Sequence, residues 1–153
     1  MITRRRACLL AALALGLAGP VLAQEAHPEA HQEAHSPIKA VFDLGEGLEQ
    51  ASRAIANIRN ELAIEPDAKI VVVAHGEGVK FLLEGATDSH DRPYAAMVAA
   101  LSKQGVEFRV CNNTLNNFHI APERVIPEAR IVPAGIAEVL RLQAREGYVY
   151  FKP

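Results

Sequence analysis

The sequence predicts an α/β fold over residues 38–153: a three-layer sandwich with a mainly parallel sheet, flavodoxin-like or Rossmann-like and doubly wound. Three observations lead there. Ile70, Val71, Val72 and Val73 form an unbroken apolar run rich in β-branching, as in a strand covered on both faces. Leu48, Ala51, Ile55, Ile58 and Leu62 recur at steps of three and four, which is one face of an amphipathic helix. Strand-like and helix-like segments then alternate to the end of the chain, implying βαβ units and about five strands.

The elements follow in order. Lys39 to Leu44 is a short apolar run that suits a strand. The helix of Leu48 to Leu62 turns Glu49, Arg53, Asn57 and Asn60 to water, and Pro66-Asp67 make the next turn. Lys69 to His75 holds the Val-rich strand, which should be central. A short helix is predicted over Val79 to Glu84. Pro93 then suits the first turn of a helix whose stripe is Tyr94, Met97, Val98 and Leu101, stopped at Gly105. Val106, Phe108 and Val110 alternate with Glu107, Arg109 and Cys111, the period of a strand. A turn or short helix around Leu115 to Ile120, a strand at Arg130 to Val132, a helix at Ile136 to Arg145 and a strand at Tyr148 to Phe151 complete the reading.

Two segments precede this domain. Arg4, Arg5 and Arg6 come before the apolar run Cys8 to Gly19, and Val21-Leu22-Ala23 supplies small residues before Gln24. Residues 1–23 therefore read as a cleavable signal peptide, and the protein is expected to be periplasmic, with no membrane attachment once the leader is removed. Whether export is general or twin-arginine stays open. Removing three arginines takes the formal charge from -2 to -5. No basic footprint for nucleic acid is present. Residues 24–37 are a polar tether rich in His, Glu and Ala, with no large apolar residue. His27, His31 and His35 are four apart and offer weak metal binding, interrupted by Pro28.

Reactive side chains stand at two predicted strand ends, His75 and Cys111, where ligand sites of parallel sheets collect. Cleavage of the leader removes Cys8 and leaves Cys111 alone, unable to form an internal disulfide in an oxidising compartment. Asn112, Asn113 and Thr114 follow it, and all three can cap a helix. A helix start there would favour the thiolate, and Arg109, two residues back on the same side of the strand, would add positive charge. His75 or His119 would serve as base or proton shuttle. The other reading of Cys111 is a small buried hydrophobe at a strand end. Gly45-Glu46-Gly47 and Gly76-Glu77-Gly78 resemble half of a dinucleotide fingerprint, but Phe81 occupies the third glycine position after Gly76. These glycines read as tight βα turns, and nothing in the sequence calls for a bound cofactor.

The segment Val106-Glu107-Phe108-Arg109-Val110-Cys111-Asn112-Asn113-Thr114-Leu115 resembles the cysteine segment of the DsrE/DsrF-like family. Val71 to Gly76, Ile131 to Glu138 and the ending Gln143 to Pro153 are similar to further segments of that family. The resemblance implies a DsrE-type α/β sandwich over Ile38 to Pro153 and a homo-oligomer, commonly a trimer or hexamer. It also implies sulfur handling by a persulfide on the cysteine at the position of Cys111, with sulfurtransferase-like activity as one outcome. An exported member departs from the cytoplasmic relays of the family, so its sulfur donor and acceptor are unknown. The rival reading is a non-catalytic oligomeric module that binds a small ligand or metal and keeps a structural cysteine.

Overall fold

A computed structural model describes residues 36–153 of the chain. The predicted signal peptide, and the tether with His27, His31 and His35, lie outside the described residues. The elements run β1 (Lys39–Leu44), α1 (Leu48–Ile64), β2 (Lys69–Ala74), a 3-10 helix (Gly76–Leu82) and α2 (Tyr94–Ser102). They continue with β3 (Glu107–Cys111), α3 (Asn112–Asn117), a 3-10 turn (Pro122–Arg124), β4 (Ala129–Val132), α4 (Gly135–Glu146) and β5 (Val149–Phe151). The five strands form one sheet in the order β4-β3-β2-β1-β5, and every pairing is parallel. The Val-rich strand β2 is central, as its composition requires.

Period-two alternation divides the strands between two faces. Phe42, Leu44, Ile70, Val72, Ala74, Phe108 and Val110 join Ile55, Ile58, Phe81, Leu82, Tyr94 and Leu101 in the larger core. Phe81 stands edge-on to Tyr94 and Phe108, with ring centroids 5.7 and 6.3 Å away. On the opposite face Val41, Val71 and Val73 pack with Val139 and Leu142 of α4. The chain thus crosses one face until β4, then returns over the other through α4 to reach β5 at the far edge. Among the described residues no helix is long and apolar enough to cross a membrane.

Local chemistry accounts for the differences from the sequence reading. The segment after β2 is a 3-10 helix that begins at Gly76, where Gly78 N–H bonds the His75 carbonyl at 2.9 Å. Gly78 lies against β1: a Cβ there would sit 2.1 Å from the Leu44 carbonyl oxygen. The helix predicted near Leu115 begins earlier, at Asn112, directly after Cys111. At the start of α1 the capping residue is Gly47, and it offers no side-chain bond. Gln50, 1 % exposed, instead holds the turn before the cap: its Oε1 accepts from Gly45 N–H at 2.9 Å and Glu46 N–H at 2.8 Å. Its amide reaches the Asp43 carbonyl at 3.3 Å, so the turn after β1 is anchored to the helix it feeds.

Gly78→Ala is expected to destabilise the domain by about 3 kcal/mol, because the added carbon meets backbone that cannot rotate away. Urea unfolding compared with wild type measures it, and an unchanged midpoint contradicts the close approach.

Candidate active site at the carboxyl ends of the strands

The parallel sheet places the carboxyl end of every strand at one rim. Cys111 closes β3 and is at once the capping residue of α3. Its side chain is 6 % exposed. An ionised sulfur so buried needs donors, and the fold supplies them from two helix starts. Burial alone would push the Cys111 thiol up. The Thr114 hydroxyl and the backbone N–H groups of Gly135, Thr114 and Asn113 outweigh burial and hold it below the ordinary thiol range.

Gly135 is the first residue of α4 and sits between two side chains of the site. A Cβ there would lie 3.1 Å from His75 Cβ and 3.2 Å from Cys111 Cβ, so only glycine lets this helix start come so near. Asn113 N–H also reaches the Pro133 carbonyl at 3.3 Å, which ties the start of α3 to the segment before α4. Thr114, 8 % exposed, accepts at 3.0 Å from Gly76 N–H as well as serving the thiol. One hydroxyl thereby joins the turn after β2 to the cysteine.

His75 follows β2. Its Nε2 stands 2.8 Å from Asp43 Oδ1, and the ring lies over Gly45, where a Cβ would meet Cε1 at 2.8 Å. The hydrogen bond to Asp43 is the main influence raising the His75 pKa above the ordinary histidine value; burial opposes it, and the charges of Asp43 and Cys111 add to it. Asp43, 9 % exposed, is pushed up by burial but held below the usual carboxylate range by hydrogen bonds from His75 and Tyr150 and by the charges of His75 and Lys152. The Tyr150 hydroxyl donates to Asp43 Oδ2 at 2.9 Å. The arrangement sets a carboxylate, an imidazole pushed toward its charged form and a thiol pushed toward its anion in electrostatic contact, which suits sulfur nucleophilicity.

The structure sorts the residues expected from sequence. It brings His75, Thr114 and the N–H of Asn113 to Cys111. Asn112 and Asn113 build the first turn of α3, with no side-chain cap. Arg109 lies two residues before Cys111 on the same strand, but its charge is engaged elsewhere. Its guanidinium is hydrogen-bonded to Glu138 of α4 and, at 2.7 Å, to Glu107. Arg141, on α4 itself, binds the same Glu138 at 2.9 Å, and Arg109, the cation expected to hold the thiolate, instead fastens α4 to β3. His119 is exposed beyond the far end of α3, with φ of 53°. The six residues of α3, Asn112–Asn117, put about 9 Å of helix rise between the two, and the expected fold-back does not occur. Sequence reading missed Asp43, Tyr150 and Gly135. A lone acid in an apolar strand was the available signal for Asp43. Among the described residues no group of three or more His, Cys, Asp or Glu side chains could hold a metal ion.

Thr114→Val keeps shape and removes one donor from the sulfur. The pH midpoint for Cys111 alkylation is expected to rise by about one unit. A midpoint identical to wild type would show that the hydroxyl does not serve the thiolate.

Comparison with known proteins agrees with this fold. Two of the solved structures that share the fold illustrate it. The protein of unknown function MTH1491 from Methanobacterium thermoautotrophicum is 28 % identical with TM-score 0.66, over 76 % of this chain and 99 % of that one. The ychN protein from E. coli is 14 % identical with TM-score 0.57, over 74 % and 99 %, a likeness of fold alone. Among curated proteins the chain has no significant match. The model of the DsrE/DsrF-like family matches residues 9–153, starting further toward the amino terminus than the motif resemblance, which begins at Ile38. The chain therefore belongs to the DsrE/DsrF-like family.

Proposed function

We propose that the protein is a periplasmic sulfur carrier that holds sulfane sulfur as a persulfide on Cys111. The family is associated in general with sulfur relay. One observation carries the finer reading: the single thiol of the domain sits where two helix starts and the Thr114 hydroxyl converge on it, beside a histidine held by a carboxylate.

The chemistry uses these groups directly. The Cys111 thiolate attacks a sulfane sulfur of a polysulfide or related donor. A new S–S bond forms to Cys111 while the donor's S–S bond breaks, and its electron pair leaves on the donor thiolate. The His75 imidazolium gives that thiolate a proton. In the second half an acceptor thiolate attacks the outer sulfur, and the Cys111 thiolate returns. No other cysteine follows the leader, so the acceptor is another molecule. Homo-oligomer assembly is part of this reading, supported by the exposed apolar side chains Ile136 and Leu140 on α4 and Val149, Tyr150 and Phe151 on β5.

A second reading rests on the low exposure of Cys111: a structural cysteine in an oligomeric small-ligand module. Intact mass separates them. After polysulfide, or thiosulfate with a donor enzyme, the mature protein is expected to gain the mass of one sulfur atom, and Cys111→Ser to gain none. Failure of Cys111 to take up sulfur in protein with a verified free thiol rejects the carrier. A Cys111→Ser variant altered only in assembly or stability supports the module.

A further inference from the structure

We propose that Tyr150 is a positioning residue of the thiol site: its hydroxyl fixes the Asp43 carboxylate toward His75, which makes the carboxy-terminal segment part of the site. The proposal rests on His75 and Cys111 being the working pair, as in the reading above, and is indifferent to what the sulfur carries.

β5 has only three residues, and all are exposed: Val149 67 %, Tyr150 42 % and Phe151 42 %. Little burial holds so short an edge strand. It and the residues after it instead make directed polar contacts around the end of β1. Tyr150 Oη donates to Asp43 Oδ2 at 2.9 Å, Lys152 Nζ meets Glu46 Oε1 at 2.6 Å, and Gln50 Nε2 donates to the Pro153 carbonyl at 3.4 Å. Only the first of these enters the site.

The consequence follows from the shape of a carboxylate. Its two oxygens accept from different partners, and the partner on one sets the direction of the other. Asp43 faces His75 at the end of β2, Tyr150 on β5 and Lys152 beyond it. His75 faces Asp43, Cys111 and Lys152. His75 is thus the direct partner of this carboxylate, while Lys152, itself paired with Glu46, acts on it by charge from further away. The neutral hydroxyl occupies Oδ2 and leaves Oδ1 to the imidazole. Without it Oδ2 is open, and Lys152 is the cation at hand. Any share of charge Lys152 takes is lost to His75, and through His75 to Cys111.

The test is an NMR titration of the His75 ring in the full mature chain, without sulfur donor. Tyr150→Phe keeps the ring and removes the hydroxyl, so the His75 midpoint is expected to fall by about half a unit. The same substitution in an Asp43→Asn background is expected to have no effect, because the link runs through Asp43. Phe151→Ala strips the ring contact with Phe42, whose centroids are 4.9 Å apart, and loosens the strand without touching the hydroxyl. It is expected to leave the titration unmoved. A midpoint that stays or rises in Tyr150→Phe, an equal fall in the Asp43→Asn background, or an equal fall in Phe151→Ala overturns the positioning role. Loss of sulfur uptake with these titration results intact would count against the cargo and leave Tyr150 in place.

Discussion

A sulfur anion buried among strands is stable only where backbone N–H groups are aimed at it, and the approach of Gly135 to Cys111 and His75 meets that condition. Burial raises the cost of charge on the thiol, and the Thr114 hydroxyl together with the helix-start N–H groups lowers it by more. The start of α3 is dictated locally, since Cys111 is its own capping residue. The start of α4 arrives from the far side of the sheet and can come so close only because Gly135 has no side chain. The ion pair of Arg109 with Glu138 then holds the first turn of α4 onto β3, and Arg141 braces Glu138 from within the same helix. Desolvated pairs of this kind fix geometry more than they add stability.

The all-parallel sheet explains why the site is assembled from every strand. Each carboxyl end falls at the same rim, and each delivers one group: Asp43 from β1, His75 after β2, Cys111 from β3, Gly135 after β4 and Tyr150 from β5. The late return of α4 across the sheet sets β5 beside β1, which is what lets Tyr150 reach Asp43. A chain that added β5 next to β4 would keep the cysteine and lose the tyrosine from the carboxylate.

The legible part of the site was the part set by neighbouring residues. Three residues able to cap a helix follow Cys111 and left a helix start there open, although the helix itself was expected only from Leu115, and the strand ending at His75 announced a rim position. Arg109 shows the limit of that logic. Its spacing put it on the side of Cys111, but α4 brings Glu138 from 29 residues away to take its charge. His119 shows the same limit in reverse: α3 carries it away from the thiol to which sequence proximity had joined it. Asp43 lies 32 residues from its histidine and 107 from its tyrosine, and no local pattern encodes pairings of that span.

By itself the sequence determined the alternation of strands and helices, the centrality of the Val-rich strand and the kinship of the chain. Those features follow from side-chain periodicity and from turn and cap chemistry, which act within a few residues. The tertiary structure alone decided which charge faces which: that His75 belongs to Asp43, that Arg109 belongs to Glu138, and that the last strand closes on the first. Such choices depend on the strand order and on where one helix crosses the sheet, because electrostatic partners are selected by distance in space.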